Sequence, residues 1–218
     1  MKQNTKKRWI AAGGLIAAFV VWTAAVRWID VRPIGPLDSC VGFAAVNRLV
    51  HNLTGVNMFL YTLTDWLGLV PVFIGFGFAV LGLVQWIRRK RILAVDHSIL
   101  VLGGFYLVVI AAYCFFEAVV INARPVLING RLEASYPSST TMLVMCVIPT
   151  AVLQLNDRIG HKVIRRCAAY TLIAFMAFMI TGRLLSGVHW LTDIVGGALL
   201  SAGLVQMYRG AVELTREE

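Results

Sequence analysis

Charge is what this chain has least of. Only 14% of its 218 residues are Asp, Glu, Lys or Arg, against about 25% in ordinary soluble domains, and the acids number just 11. A disordered chain, a nucleic-acid module and a typical cytosolic enzyme all need more polar surface than this. Proline is scarce at six residues, and no repeat, low-complexity segment or linker divides the chain. Cysteine is limited to Cys40, Cys114, Cys146 and Cys167. They form no C-x-x-C pair and no His/Cys ligand spacing, and read as buried small hydrophobes.

What is present is hydrocarbon. Residues of the AVILMFWYC set make up 59% of the chain and the mean hydropathy is +0.77, which defines an integral membrane protein. Apolar runs predict six spans near 9-26, 66-87, 98-121, 138-155, 167-182 and 187-208, each long enough or nearly so to cross about 30 Å of hydrocarbon. At roughly 20 residues per span they use about 120 residues, leaving no room for a soluble domain. The expectation is an all-α, six-transmembrane-helix bundle forming a single membrane domain over 1-218. Lys6, Lys7 and Arg8 before the first run also suit a signal peptide, but its apolar core of about 18 residues exceeds the usual 7 to 15. Thr23-Ala24-Ala25, followed at once by Arg27 and Trp28, is a poor cleavage site, so the run reads as an uncleaved span. Between spans one and two, Val41, Phe43, Val46, Leu49, Val50 and Leu53 recur at near-helical spacing among polar residues, as in an interfacial helix.

The net charge of +9 is distributed in a way that orients the chain. With a cytoplasmic N-terminus, fourteen of the twenty Lys and Arg residues fall on the inner face, including Lys2, the Arg88–Arg91 cluster, Lys162, Arg165, Arg166 and Arg216. Arg27, Arg32, Arg48, Arg124, Arg131 and Arg183 fall outside, where six acids cancel them. This positive-inside pattern implies a multi-pass plasma-membrane protein with both termini cytoplasmic, and the small six-span chain suits a bacterial membrane. The basic excess is a topology signal and implies no nucleic-acid partner.

Polar residues at the outer ends of the spans converge from three segments: Glu117 to Pro125 (EAVVINARP), Tyr136 to Thr141 (YPSSTT) and Gly182 to Asp193 (GRLLSGVHWLTD). His189 and Asp193 are four apart, so on a helix the carboxylate reaches one imidazole nitrogen and leaves the other a better nucleophile or base; a structural hydrogen bond at a helix start is the alternative. No further ligands of matching spacing suggest a metal. Arg124 and Arg183 offer forked donors to a phosphate or carboxylate, although arginines at span ends also snorkel. Pro137-Ser138-Ser139-Thr140-Thr141 opens span four, where serine caps a helix and free N–H groups bind anions. Together these features describe a phosphate site with a nucleophile.

These residues resemble the type 2 phosphatidic acid phosphatases of the vanadium haloperoxidase superfamily, whose pattern is Lys-x6-Arg-Pro, Pro-Ser-Gly-His and Ser-Arg-x5-His-x3-Asp. Arg124-Pro125, Pro137-Ser138 and Arg183-x5-His189-x3-Asp193 match in order and spacing. The resemblance implies that His189 forms a phosphohistidine, that Asp193 orients it, and that Arg124, Ser138 and Arg183 hold phosphate, with Ser139 and Thr140 beside them. It implies no metal and no cofactor. Four positions depart from the pattern: Glu117 replaces the lysine, Ser139 the glycine, Gly182 the serine, and Thr140 the histidine thought to protonate the leaving alcohol. A threonine hydroxyl is too weak an acid for that step, which is typically worth about 10² to 10⁴ in rate.

Three remedies present themselves: a pyrophosphate leaving group that needs little protonation, a buried Glu117 acting as the acid (with Glu133 and His51 as weaker candidates), or loss of catalysis. Glu117 is expected chiefly to pair with Arg124 or Arg183. The overall expectation is a lipid phosphate or polyprenyl pyrophosphate phosphatase with an extracytoplasmic site. The alternative is a catalytically impaired protein that binds or transports lipid phosphate on the same scaffold.

Overall fold

A computed structural model describes residues 3–215; Lys2 and Arg216, counted above on the inner face, lie outside them. The protein is an α-helical membrane bundle. Its helices are α1 (Gln3–Trp28), α2 (Ala44–Thr54), α3 (Met58–Leu67), α4 (Leu69–Arg89), α5 (His97–Ala118), α6 (Ser139–Arg158), α7 (Lys162–Leu185) and α8 (Leu191–Thr215). Among the described residues, six helical stretches are long and apolar enough to cross a membrane, α3 and α4 counting as one.

Burial separates the spans into two kinds. In α6 and α8, 56% and 61% of the apolar window is covered by protein, whereas the figure is 6% for α3–α4 and for α7. The central pair therefore carries the polar and small residues that hydrocarbon would not tolerate, and the outer helices present their side chains to lipid. α1 lies antiparallel along α8, with Gly203 and Gly210 placed directly against Ile16 and Trp9; small residues allow such approach where packing, not water exclusion, drives association.

Polar contacts mark the two ends of the bundle. At one end Arg8 pairs with Glu213, Asp96 pairs with Arg89 (3.1 Å) and Arg158 (3.4 Å), and Gln154 donates to the Tyr208 hydroxyl at 2.5 Å. This end gathers the basic connections. At the other end the Trp22 indole donates to the Thr192 carbonyl at 3.2 Å, and the three polar segments assemble.

The structure revises several boundaries. Residues 58–64, expected to belong to a polar stretch, form most of α3 and extend the second span by two turns. Asn57 caps this helix by accepting from the Leu60 N–H at 2.9 Å, and the Thr62 and Thr64 hydroxyls donate back to carbonyls one turn earlier, which hides their polarity within the helix. The last span starts at Leu191 and not at 187. The expected interfacial helix is α2, but it follows a short antiparallel pair of strands, β1 (Arg32–Pro33) and β2 (Cys40–Val41). Of the cysteines only Cys146 is buried; Cys40, Cys114 and Cys167 are exposed, so burial describes one of the four.

Candidate active site

The connection from α5 to α6 folds back on itself. The Arg124 N–H donates to the Glu133 carbonyl at 3.0 Å and the Ser135 N–H to the Asn122 carbonyl at 2.9 Å. Two bonds then join this loop to the start of α8: the Ser138 N–H reaches the Asp193 carbonyl at 3.0 Å, and the Trp190 indole donates to the Ala123 carbonyl at 2.8 Å. The three segments singled out in the sequence thus share one end of the bundle.

His189 does not lie on a helix, as its spacing to Asp193 suggested. It sits in the turn between α7 and α8, which Gly187 makes possible at φ +67°; a Cβ on Gly187 would fall 1.9 Å from the Gly55 carbonyl oxygen. Asp193 is in the first turn of α8, and its Oδ2 accepts the Trp190 N–H at 2.9 Å. The same oxygen is 3.5 Å from His189 Nδ1, a contact rather than a formed hydrogen bond, since Nδ1 has no hydrogen-bond partner. On the far side of the ring, Arg124 Nη1 is 3.3 Å from Nε2. A guanidinium only donates, so Nε2 is the accepting nitrogen and Nδ1 carries the proton that faces Asp193. Burial, reinforced by the charges of Arg124 and Arg183, holds His189 well below the ordinary imidazole pKa. The ring is neutral at pH 7, with its lone pair on Nε2 facing Arg124.

Both arginines are buried, and each is backed by a carboxylate. Arg124 Nε lies 3.1 Å from Glu133 Oε2, an ion pair misaligned for a hydrogen bond. Arg183 ends α7 with a side chain only 2% exposed, and its Nη2 is 3.4 Å from Asp65 Oδ1. Its Nη1 reaches the Thr64 hydroxyl at 3.4 Å and the Tyr61 carbonyl at 3.5 Å, and the guanidinium stacks over the Tyr61 ring. Neither Nε has a hydrogen-bond partner among the described residues. Ser138 is the fully buried N-cap of α6, accepting from the Thr141 N–H and hydroxyl at 3.4 and 3.1 Å. Ser139 and Thr140, half-buried, line a cleft of about 350 Å³ that also reaches Asp65.

Glu117 takes neither of its expected partners: Glu133 occupies Arg124 and Asp65 occupies Arg183. It sits in the last turn of α5, exposed and not buried as the acid role would require, and lines a narrow cleft together with Tyr113, His189, Ser135 and Ser139. The sequence reading also passed over the supports of the site. Asn122 holds the loop by accepting from the Gly42 N–H and donating to Thr192, and Asn47 of α2 donates to Thr192 and Gly42. His51 packs against the Trp190 ring, and burial lowers its pKa. An acid within an apolar run was the one available signal, and Asp65 in YTLTDWLGLV is such a residue.

Taken together, the fold and this end of the bundle define a polytopic membrane protein with a buried histidine set between two arginines and an aspartate. The model of the PAP2 superfamily matches residues 121–214, a stretch holding Arg124, Ser138, Arg183, His189 and Asp193, so the recognition drawn from the motifs stands. No curated protein matches the chain. Among solved structures it is similar to one described as the first transmembrane PAP2 type phosphatidylglycerolphosphate phosphatase from Bacillus subtilis. That likeness has 18% identity and a TM-score of 0.61, covering 94% of this chain and 96% of that chain. At this identity the likeness shows a shared fold and nothing finer.

Proposed function

We propose that the protein is a membrane lipid phosphate or pyrophosphate phosphatase working through a phosphohistidine on His189, with the whole chain acting as one membrane domain. The observation that carries this reading is the 3.3 Å contact between Arg124 Nη1 and His189 Nε2, which sets an anion donor and a nucleophilic lone pair at one point. In the first step Nε2 attacks phosphorus in line, and the bond to the leaving oxygen breaks. Arg124 and Arg183 neutralise the developing charge, and Asp193 accepts a hydrogen bond from Nδ1–H as the contact tightens, stabilising the imidazolium-like ring, which keeps its Nδ1 proton. Water then attacks the phosphohistidine, releasing inorganic phosphate and restoring the imidazole.

The leaving oxygen still needs a proton or a low basicity. Thr140 supplies no useful acid; Glu117 lines the cleft with His189, and a pyrophosphate leaves as phosphate with little need of one. The site would open on the extracytoplasmic side of a bacterial plasma membrane, the basic end facing the cytoplasm. Thr140 favours one second reading, a catalytically impaired binder or transporter of lipid phosphate. Purified protein is expected to release inorganic phosphate from phosphatidate, phosphatidylglycerol phosphate or a polyprenyl pyrophosphate, and His189→Ala to abolish the release. Equal release by both forms would defeat the enzyme reading.

A further inference from the structure

Arg183 is held in an unusual way for a phosphate ligand. Every polar contact to its guanidinium comes from one turn of α3, from Tyr61, Thr64 and Asp65, and all are long, between 3.4 and 3.5 Å. The approach of the two helices is close: a Cβ on Gly182 would meet Thr64 Cγ2 at 2.7 Å. Only Asp65 in this set carries charge. Its side chain is 58% exposed whereas that of Arg183 is 2% exposed, so the carboxylate is open to an arriving ion and the guanidinium lies buried behind it. Asp65 shares its cleft with Ser139 and Thr140 at the start of α6. That cleft also shares Tyr113, Ser139 and Met142 with the narrow one lined by His189.

We infer that Asp65 is an exchangeable counter-charge for Arg183, yielding the guanidinium to an arriving phosphate and reclaiming it when inorganic phosphate leaves. This rests on the phosphate-site reading above. A single contact at 3.4 Å is weak for an arginine–carboxylate pair, which prefers two parallel bonds near 2.7–2.9 Å. The unpartnered Nε leaves one edge of the fork free for an anion. A phosphate dianion offers more oxygens and more charge than one carboxylate, so it displaces Asp65. Once the lipid part has left, inorganic phosphate is held by these ionic contacts alone, with no tail between the helices, and the carboxylate competes for the same donors and shortens its stay. No bond other than these ionic contacts forms or breaks. Asp65 acts through Arg183 and is a release and positioning residue.

The test compares inorganic phosphate binding by wild type, Asp65→Asn and Asp65→Glu in detergent, read by calorimetry and by product inhibition where turnover is seen. Asp65→Asn removes the competing charge and is expected to tighten phosphate about fivefold or more, the lower end of usual coupling between competing groups. It should lower kcat and KM together, because product lingers, and Asp65→Glu should restore wild-type affinity. Unchanged or weaker phosphate binding by Asp65→Asn would overturn the inference while leaving the phosphate site standing. If wild type binds no phosphate and Arg183→Ala changes nothing, the phosphate-site reading falls, and the inference with it. Loss of folding by Asp65→Asn is excluded by its thermal transition, and Asp65→Glu, which keeps the charge, provides the second comparison.

Discussion

At the position of His189 two demands meet: in the proposed reaction the ring must be neutral to attack phosphorus, yet it stands beside a carboxylate that would favour its charged form. Burial, with Arg124 and Arg183 close by, decides for the neutral form, and the pKa falls well below 6.5. The ¹⁵N shifts of the His189 imidazole should therefore show no titration until well under pH 6.5; a midpoint at or above that value would refute the balance. Stability has the same sign. As pH falls through 6.5, unfolded chains take up a proton that folded His189 refuses, so stability is lost as pH drops from there toward the folded value. His189, Asp193, Arg124 and Arg183 were legible in the sequence because their types and spacings are chemically restrictive. Asp65 and Glu133 were not, because a partner 118 or 9 residues away leaves no periodic trace, and Glu117, nearer the expected depth, drew the assignment they hold.

Among the elements, α8 does most to position the site. It carries Asp193 in its first turn and, one turn on, presents Gly196 to the ring of Tyr136, the residue just before the Pro137-Ser138 start of α6. A Cβ there would fall 2.6 Å from the ring, and Tyr136 has no room to yield. It is 1% exposed, stacks on Phe19 and shares a hydrogen bond of 2.7 Å with Thr23. Gly196→Ala is expected to cost about 1–3 kcal/mol as overpacking, seen as a lowered thermal transition in detergent, and to reduce phosphate binding by shifting the N-terminus of α6; a variant as stable as wild type would contradict this packing. Long apolar runs announced the spans plainly. The extent of α3 was hidden because threonines and an aspartate look like loop residues until their hydroxyls are seen bonding back along the helix.

For the whole molecule, the helices alternate in direction so that the basic connections share one end and the site the other, as the charge distribution alone had suggested. The proposed orientation in a membrane rests on that separation. A cysteine placed at Arg131, in the α5–α6 connection, should react with an impermeant thiol reagent added to intact cells, and labelling only after the cytoplasmic side is opened would reverse the topology. Background from exposed Cys40, Cys114 and Cys167 is removed by replacing them with serine or alanine.

The pairing of α1 with α8 also governs how the molecule is made. α1 is made before the other described helices and finds its principal partner in α8, with Arg8 meeting Glu213. Until α8 has been made, α1 has no such neighbour and must wait in lipid, the face bearing Trp9 and Ile16 unmatched. Asp193 and the turn bearing His189 arrive with α8. The described bundle therefore closes in a single late event of assembly, so a nascent chain that stops before α8 holds both arginines but neither His189 nor Asp193.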